Sequence, residues 1–196
     1  MANILILGIG NILWADEGFG VRVAQALQET YQFPSFVNVL DGGTQGLALM
    51  PLVQETDVLI ILDAVDFQLE PGTLVKLHDA EVPAYLGAKK MSLHQISFQE
   101  VLALCQLLGN CPERLFLVGV QPQVLEDYGG SLSAVVKRQI PAAMDCVLAY
   151  LAALGIAPKL IPANPDARNQ AVGMVEYERL RPSAEEACRY GDGRFL

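Results

Sequence analysis

Basic side chains are scarce in this chain of 196 residues: 13 Lys and Arg stand against 22 Asp and Glu, giving a net charge of −9. That balance argues against a nucleic-acid backbone as partner, because phosphate contacts need clustered Lys and Arg. Long apolar runs are missing too. Although 52% of the residues are hydrophobic, no uninterrupted span reaches the roughly 18 residues of a membrane helix. The densest stretch, 146–157, contains Gly155 and follows Asp145, as a buried helix would. The N-terminus lacks the basic flank and small-residue cleavage site of a signal peptide, so a cytoplasmic protein with no membrane partner is expected. Cys105, Cys111, Cys146 and Cys188 form no Cys-x-x-Cys pair and read as free thiols in a reducing compartment. His-Glu-x-x-His, Gly-x-Ser-x-Gly and Walker patterns are absent, which leaves no self-contained nucleophile. There is no internal repeat, and nothing specifies an oligomeric state.

What the chain does have is concentrated in its first twenty-odd residues. A continuous apolar run, Ile4-Leu5-Ile6-Leu7, ends in Gly8-Ile9-Gly10 and passes into a helical pattern from Val21. Such a run is how a strand buried on both faces hands over to a helix. It imitates a dinucleotide-binding turn, with Asp41 closing the second strand. The third glycine of that fingerprint would fall at Leu13, however, and Asp16 and Glu17 stand where a pyrophosphate would need neutral backbone donors. The turn therefore suits a cation better than an anion.

Periodicity along the rest of the chain predicts strands at 36–40, 58–62, 73–77 and 114–120. Helices are expected at 21–31, 46–53, 98–108 and 131–154, the last kinked or split by Pro141. Ser97 and Glu100 have capping-box spacing for the third helix. The short connection before 73–77 suggests an antiparallel edge strand. The fold class that follows is α/β, a single three-layer domain with a mostly parallel five-stranded sheet, one antiparallel edge strand and helices on both faces. Residues 1–157 would form this domain and 158–196 a weakly structured tail, with one short helix at 184–189.

In such a sheet, ligands bind beyond the carboxyl ends of the strands. Glu17, Asp41 and Asp63 follow the first three strands, and His94 opens the loop before the next helix. Two carboxylates and an imidazole make a reasonable ligand set for a divalent metal with open positions. Asp16 and Asp66 read as supporting charges or caps. Asp41-Gly42-Gly43-Thr44 is either a strand-end turn or a cleft lining whose glycines admit a substrate backbone.

Gly8-Ile9-Gly10-Asn11-Ile12-Leu13 with Asp16-Glu17, then Asp41-Gly42-Gly43-Thr44, Leu62-Asp63-Ala64, Ser92-Leu93-His94-Gln95 and Leu117-Val118-Gly119-Val120-Gln121-Pro122 together resemble the nickel-iron (NiFe) hydrogenase maturation endopeptidases. Leu13 to Val23, Lys89 to Gln95 and Tyr128-Gly129-Gly130-Ser131-Leu132 are similar to the branch serving membrane-bound uptake hydrogenases. The resemblance implies a peptidase, aspartyl-type or metal-assisted, that removes the C-terminal peptide of the hydrogenase large-subunit precursor. It also implies that Glu17, Asp63 and His94 bind nickel delivered inside that substrate, a site that in isolation could hold another divalent metal. Asp41, Gly42, Gly43 and Thr44 would line the substrate cleft. A non-catalytic chaperone that inspects the precursor's metal, or a nucleotide-binding α/β protein, are the competing readings.

Overall fold

The computed structural model describes residues 2–83, 93–162 and 174–180. Five strands form the central sheet: β1 (Ile4–Ile9), β3 (Val37–Gly43), β4 (Val58–Ala64), β5 (Leu74–His78) and β6 (Arg114–Val120), in the order β3-β1-β4-β6-β5. β3, β1, β4 and β6 are mutually parallel, and β5 closes one edge antiparallel to β6. The expected edge strand is therefore present. Its partner is not the preceding strand: β6 arrives later in the chain and inserts between β4 and β5.

The uniform apolarity of β1 and β4 has a direct cause: every residue of both strands is buried. Alternate side chains enter opposite layers. Ile4, Ile6, Ile60 and Leu62 meet Phe19, Val23 and Leu27 of α1 (Phe19–Thr30), together with Val147 and Leu151 further along the chain. Leu5, Leu7, Leu59 and Ile61 pack on the other face with Leu49 and Val53, the latter in α2 (Met50–Gln54), and with Val101, Leu102 and Cys105 of α3 (Leu93–Leu108). Each such side chain removed from water contributes about 1.5–3 kcal/mol.

The predicted helix over 131–154 is two helices, α4 (Ala134–Lys137) and α5 (Ile140–Ala153). Pro141 sits in the first turn of α5, where its missing N–H would have had no intrahelical partner. α3 begins earlier than its capping signal suggests, at Leu93, so His94 lies in the first turn of a helix and Ser97 inside it. A side-chain cap contributes only about 1 kcal/mol, and no Gly or Pro between 93 and 97 forces a break. Three elements carry no periodic signal. β2 (Tyr31–Gln32) pairs antiparallel with β7 (Lys159–Leu160), and α6 (Met174–Leu180) follows. The helix expected at 184–189 lies outside the described residues.

The strand order locates the working end of the sheet. From β1 the chain steps outward to β3 and then returns to β1's other side as β4, so the order reverses between β1 and β4. In open α/β sheets the crevice at the carboxyl ends beside such a reversal is the binding position.

Candidate functional site at the carboxyl ends of β1 and β4

Glycines determine how the first helix meets this crevice. A Cβ on Gly20 would stand 2.0 Å from the Leu62 carbonyl oxygen and 2.4 Å from that of Ile9, and one on Gly8 would stand 2.5 Å from the Gly20 carbonyl oxygen. α1 therefore starts directly on top of the ends of β1 and β4. Gly10, at φ +131°, has the Glu17 carbonyl oxygen 1.8 Å from where its Cβ would be. The Gly-x-Gly pair thus serves backbone-to-backbone packing. The space that a phosphate would occupy against Gly10 is filled by the 3-10 turn Ala15–Gly18 that carries Glu17.

Glu17 is half-buried on that turn, which packs against the end of β4. Asp63 is the penultimate residue of β4, only 3% exposed, one position beyond the last rung with β1, Gly8–Leu62, and still paired with Gly119 of β6. Its Oδ1 accepts a hydrogen bond from the Ala64 N–H at 2.8 Å, which helps fix the carboxylate's direction. The two acids therefore flank the reversal point, Glu17 from the turn that follows β1 and Asp63 from the end of β4. His94 shares the carboxyl side because α3 runs back from there into parallel β6, but its side chain lies outside the described residues. Among the described residues no three His, Cys, Asp or Glu form a metal-holding group.

Asp41 to Gly43 belong to β3, where a sequence reading expects a turn. The ladder skips from Gly8–Asp41 to Ile9–Gly43, a bulge of the kind found at sheet rims beside functional sites. Gly42 is buried, and its Cβ would meet Leu7 Cδ1 at 2.7 Å, so packing against β1 requires it to be glycine. Gly43 is left-handed at φ +47°, where a Cβ would meet Asp41 Oδ1 at 3.6 Å and the Gly10 carbonyl oxygen at 3.9 Å, both ordinary contacts, while Asp41 and Thr44 are exposed.

Asp16 has a different role from its neighbour. It is fully buried. Oδ2 accepts the N–H groups of Gln123 and Val124 at 2.8 Å and the Ser133 hydroxyl at 2.9 Å, and Oδ1 accepts the Ser133 N–H at 2.6 Å. This carboxylate ties the turn after β1 to the loop after β6. Gln121 does the same for the loop after β4: its Oε1 accepts the Phe67 and Leu69 N–H groups, and its Nε2 donates to Asp66 Oδ1. A cavity of about 410 Å³ is lined by Ile4, Val58 and Arg114, at the opposite, amino ends of the strands. It has no part in this site.

The sequence profile described as hydrogenase maturation protease matches residues 21–150. The chain belongs to this family. The protease is 53% identical over 195 residues to the hydrogenase expression/formation protein HupD of Rhodobacter capsulatus, spanning 99% of this chain and 93% of that protein. It is 44% identical over 155 residues to the hydrogenase 2 maturation protease of Escherichia coli K12, covering 79% and 93% respectively. The solved structure of the E. coli hydrogenase-maturating endopeptidase HybD superposes with a TM-score of 0.76 at 41% identity, over 80% of this chain and 96% of that one. Fold class, enzyme class and the HupD/HupM/HoxM branch thus agree with what the motifs imply.

One contact of the protease's rim joins a residue of the Leu13–Val23 stretch to the far end of the chain. Arg22, on the first turn of α1, is 4% exposed; it donates to Gln25 Oε1 at 2.9 Å and lies 5.4 Å over the ring of Tyr177 in α6. Burial lowers its pKa, opposed by Tyr177, Glu178, Asp41 and Glu29, and the guanidinium stays charged. Asp41 feels the same crowding from the other side. Although its outer face is exposed, desolvation pushes its carboxyl up, against the Gly43 N–H, Arg22 and Gln25.

Proposed function

We propose that this protease removes the C-terminal peptide from the nickel-loaded precursor of a NiFe hydrogenase large subunit, and that Glu17, Asp63 and His94 bind the precursor's nickel. The observation carrying this reading is the pair of carboxylates, Glu17 on the turn after β1 and Asp63 at the end of the adjacent β4, at the reversal of strand order. Oxygen and imidazole donors bind a divalent metal less firmly than thiolates do. Such ligands suit a protein that engages a metal held by the precursor's own cysteines, tests for it and then lets it go. Nickel is thus substrate, not a resident cofactor.

Asp63 is held by the Ala64 N–H and Glu17 is fixed by the turn seated on Gly10. That arrangement presents two oxygen donors with little reorganisation, which is what positioning a scissile peptide near a metal requires. Asp41, Gly43 and Thr44 border the approach, with Gly42 supporting them from beneath. Reaction in the cytoplasm, with the HupD-like branch acting on an uptake-type enzyme, is in keeping with the free thiols at Cys105, Cys111 and Cys146.

The test is mass spectrometry of the precursor after incubation with the protease. Loss of a C-terminal peptide with wild type, and none with Glu17→Gln, Asp63→Asn or His94→Ala at unchanged circular dichroism, is the expected result. Binding without any loss of mass would favour the chaperone reading. Wild-type cleavage by all three variants would remove the assignment of these residues.

A further inference from the structure

Of the eleven large apolar residues that the described surface exposes, six sit on the loops at the carboxyl ends of the parallel strands: Leu13, Trp14, Leu47, Leu69, Val124 and Tyr128. Trp14 and Tyr128 are the largest of these, 37% and 58% exposed. Their rings meet edge to face at 5.3 Å. The loops that carry them are joined through the backbone: the Gly129 N–H donates to the Leu13 carbonyl at 2.7 Å, and Trp14 forms bridges to Tyr128 and Gly130. Ala15, buried and left-handed at φ +43°, and the buried Asp16 carboxylate hold the same junction from below. An exposed aromatic pair on a rigid frame loses little entropy on binding, and Trp and Tyr dominate the energetics of interfaces.

The surroundings say what chemistry the pair would meet. Residues 10–18, 41–49, 65–73 and 121–133 contain no Lys or Arg, and Asp41, Asp66, Glu70 and Glu126 among them are exposed. An apolar pair bordered by these acidic loops complements a chain that offers an apolar side chain beside positive ones. Trp14 also stands three positions before Glu17, on the same turn.

We infer that Trp14 and Tyr128 form the docking platform for a segment of the precursor carrying an apolar side chain flanked by basic ones, which aligns the precursor with the crevice at Glu17 and Asp63. This rests on the maturation-protease reading above. It makes Trp14 and Tyr128 residues of substrate recognition, separate from the metal ligands.

Trp14 is the only tryptophan in the chain, so protease labelled with 5-fluorotryptophan gives one fluorine resonance that reports on the platform. Adding unlabelled precursor should shift or broaden that resonance, and 0.5 M NaCl should weaken the effect by screening. In the cleavage assay, Trp14→Ala and Tyr128→Ala should raise KM by about tenfold or more with kcat little changed, as loss of an interface anchor does. Trp14→Phe should recover most of the loss, and the exposed Glu126→Lys should raise KM severalfold without affecting folding. A resonance shift without cleavage would refute the peptidase reading and leave docking supported. Cleavage with an unmoved resonance and unchanged KM values would overturn the platform, as would a shift that follows protease concentration alone, which would assign the surface to a second copy of this chain.

Discussion

Asp16 and Glu17 are adjacent acids that should give opposite phenotypes when neutralised. In Asp16→Asn, the amide oxygen can keep the place of Oδ2, which accepts from Gln123, Val124 and the Ser133 hydroxyl. The amide nitrogen then replaces Oδ1 and points a donor at the Ser133 N–H, which lies 2.6 Å from Oδ1 in the wild type. One buried donor loses its acceptor, at about 1–3 kcal/mol, and the remaining bonds lose the extra strength that an ionised acceptor gives. Relief of burying a charge offsets part of this, so the expected net loss is about 2–4 kcal/mol. Glu17→Gln, on a half-buried side chain, should cost less than about 1 kcal/mol. Urea unfolding followed by far-ultraviolet circular dichroism measures both: Asp16→Asn should lower the midpoint with the m-value unchanged, yet process precursor in the cold, whereas Glu17→Gln should keep the midpoint and lose processing. An Asp16→Asn protein as stable as wild type but inactive would refute the structural role and make Asp16 a candidate ligand.

Gly20→Ala would place a methyl group 2.0 Å from the Leu62 carbonyl oxygen, against backbone that is itself part of the central ladder. It should lose at least about 3 kcal/mol and a comparable share of soluble yield, read by thermal unfolding; a near-neutral result would mean α1 does not rest on β1 and β4. The docking of α6 should depend on pH. Burial raises the Glu178 carboxyl, but Lys137 at 2.6 Å, the Ser131 hydroxyl and Arg22 outweigh it and hold the group below the usual glutamate value. A lowered carboxylate contributes stability that is complete above its unfolded-state pKa and is lost as pH falls through the folded one. Pepsin should therefore cut near α6 faster as pH drops below the ordinary glutamate range. Glu178→Gln should be cut faster than wild type by a neutral protease at pH 7, and an unchanged cutting pattern would contradict the clamp.

The sheet was legible because β1 and β4 are buried on both faces, which makes apolarity continuous and hard to mistake. That the first turn is not a dinucleotide cradle was legible for a related reason: acids stand where a phosphate would need donors, and the structure adds that the Glu17 backbone fills the space against Gly10. Contacts between distant residues were not legible. Asp16 reads from the sequence as a supporting charge or cap, but the groups that satisfy it lie more than a hundred residues away, and nothing in Trp-Ala-Asp-Glu points to the loop it clamps. Gln121 and the Arg22–Tyr177 contact are hidden in the same way, and the two-residue pairing of β2 with β7 is too short for any periodicity. The earlier start of α3 shows a local capping signal outweighed by continued helix. It moves His94 from a loop to a helix turn without moving it from the carboxyl side of the sheet.

The central claim is that nickel in the precursor is what Glu17, Asp63 and His94 recognise. The most direct measurement compares cleavage of one precursor preparation, nickel-loaded and metal-free, by mass spectrometry under otherwise identical conditions. The account predicts loss of the C-terminal peptide from the loaded form alone. Equal cleavage of the metal-free form would contradict it.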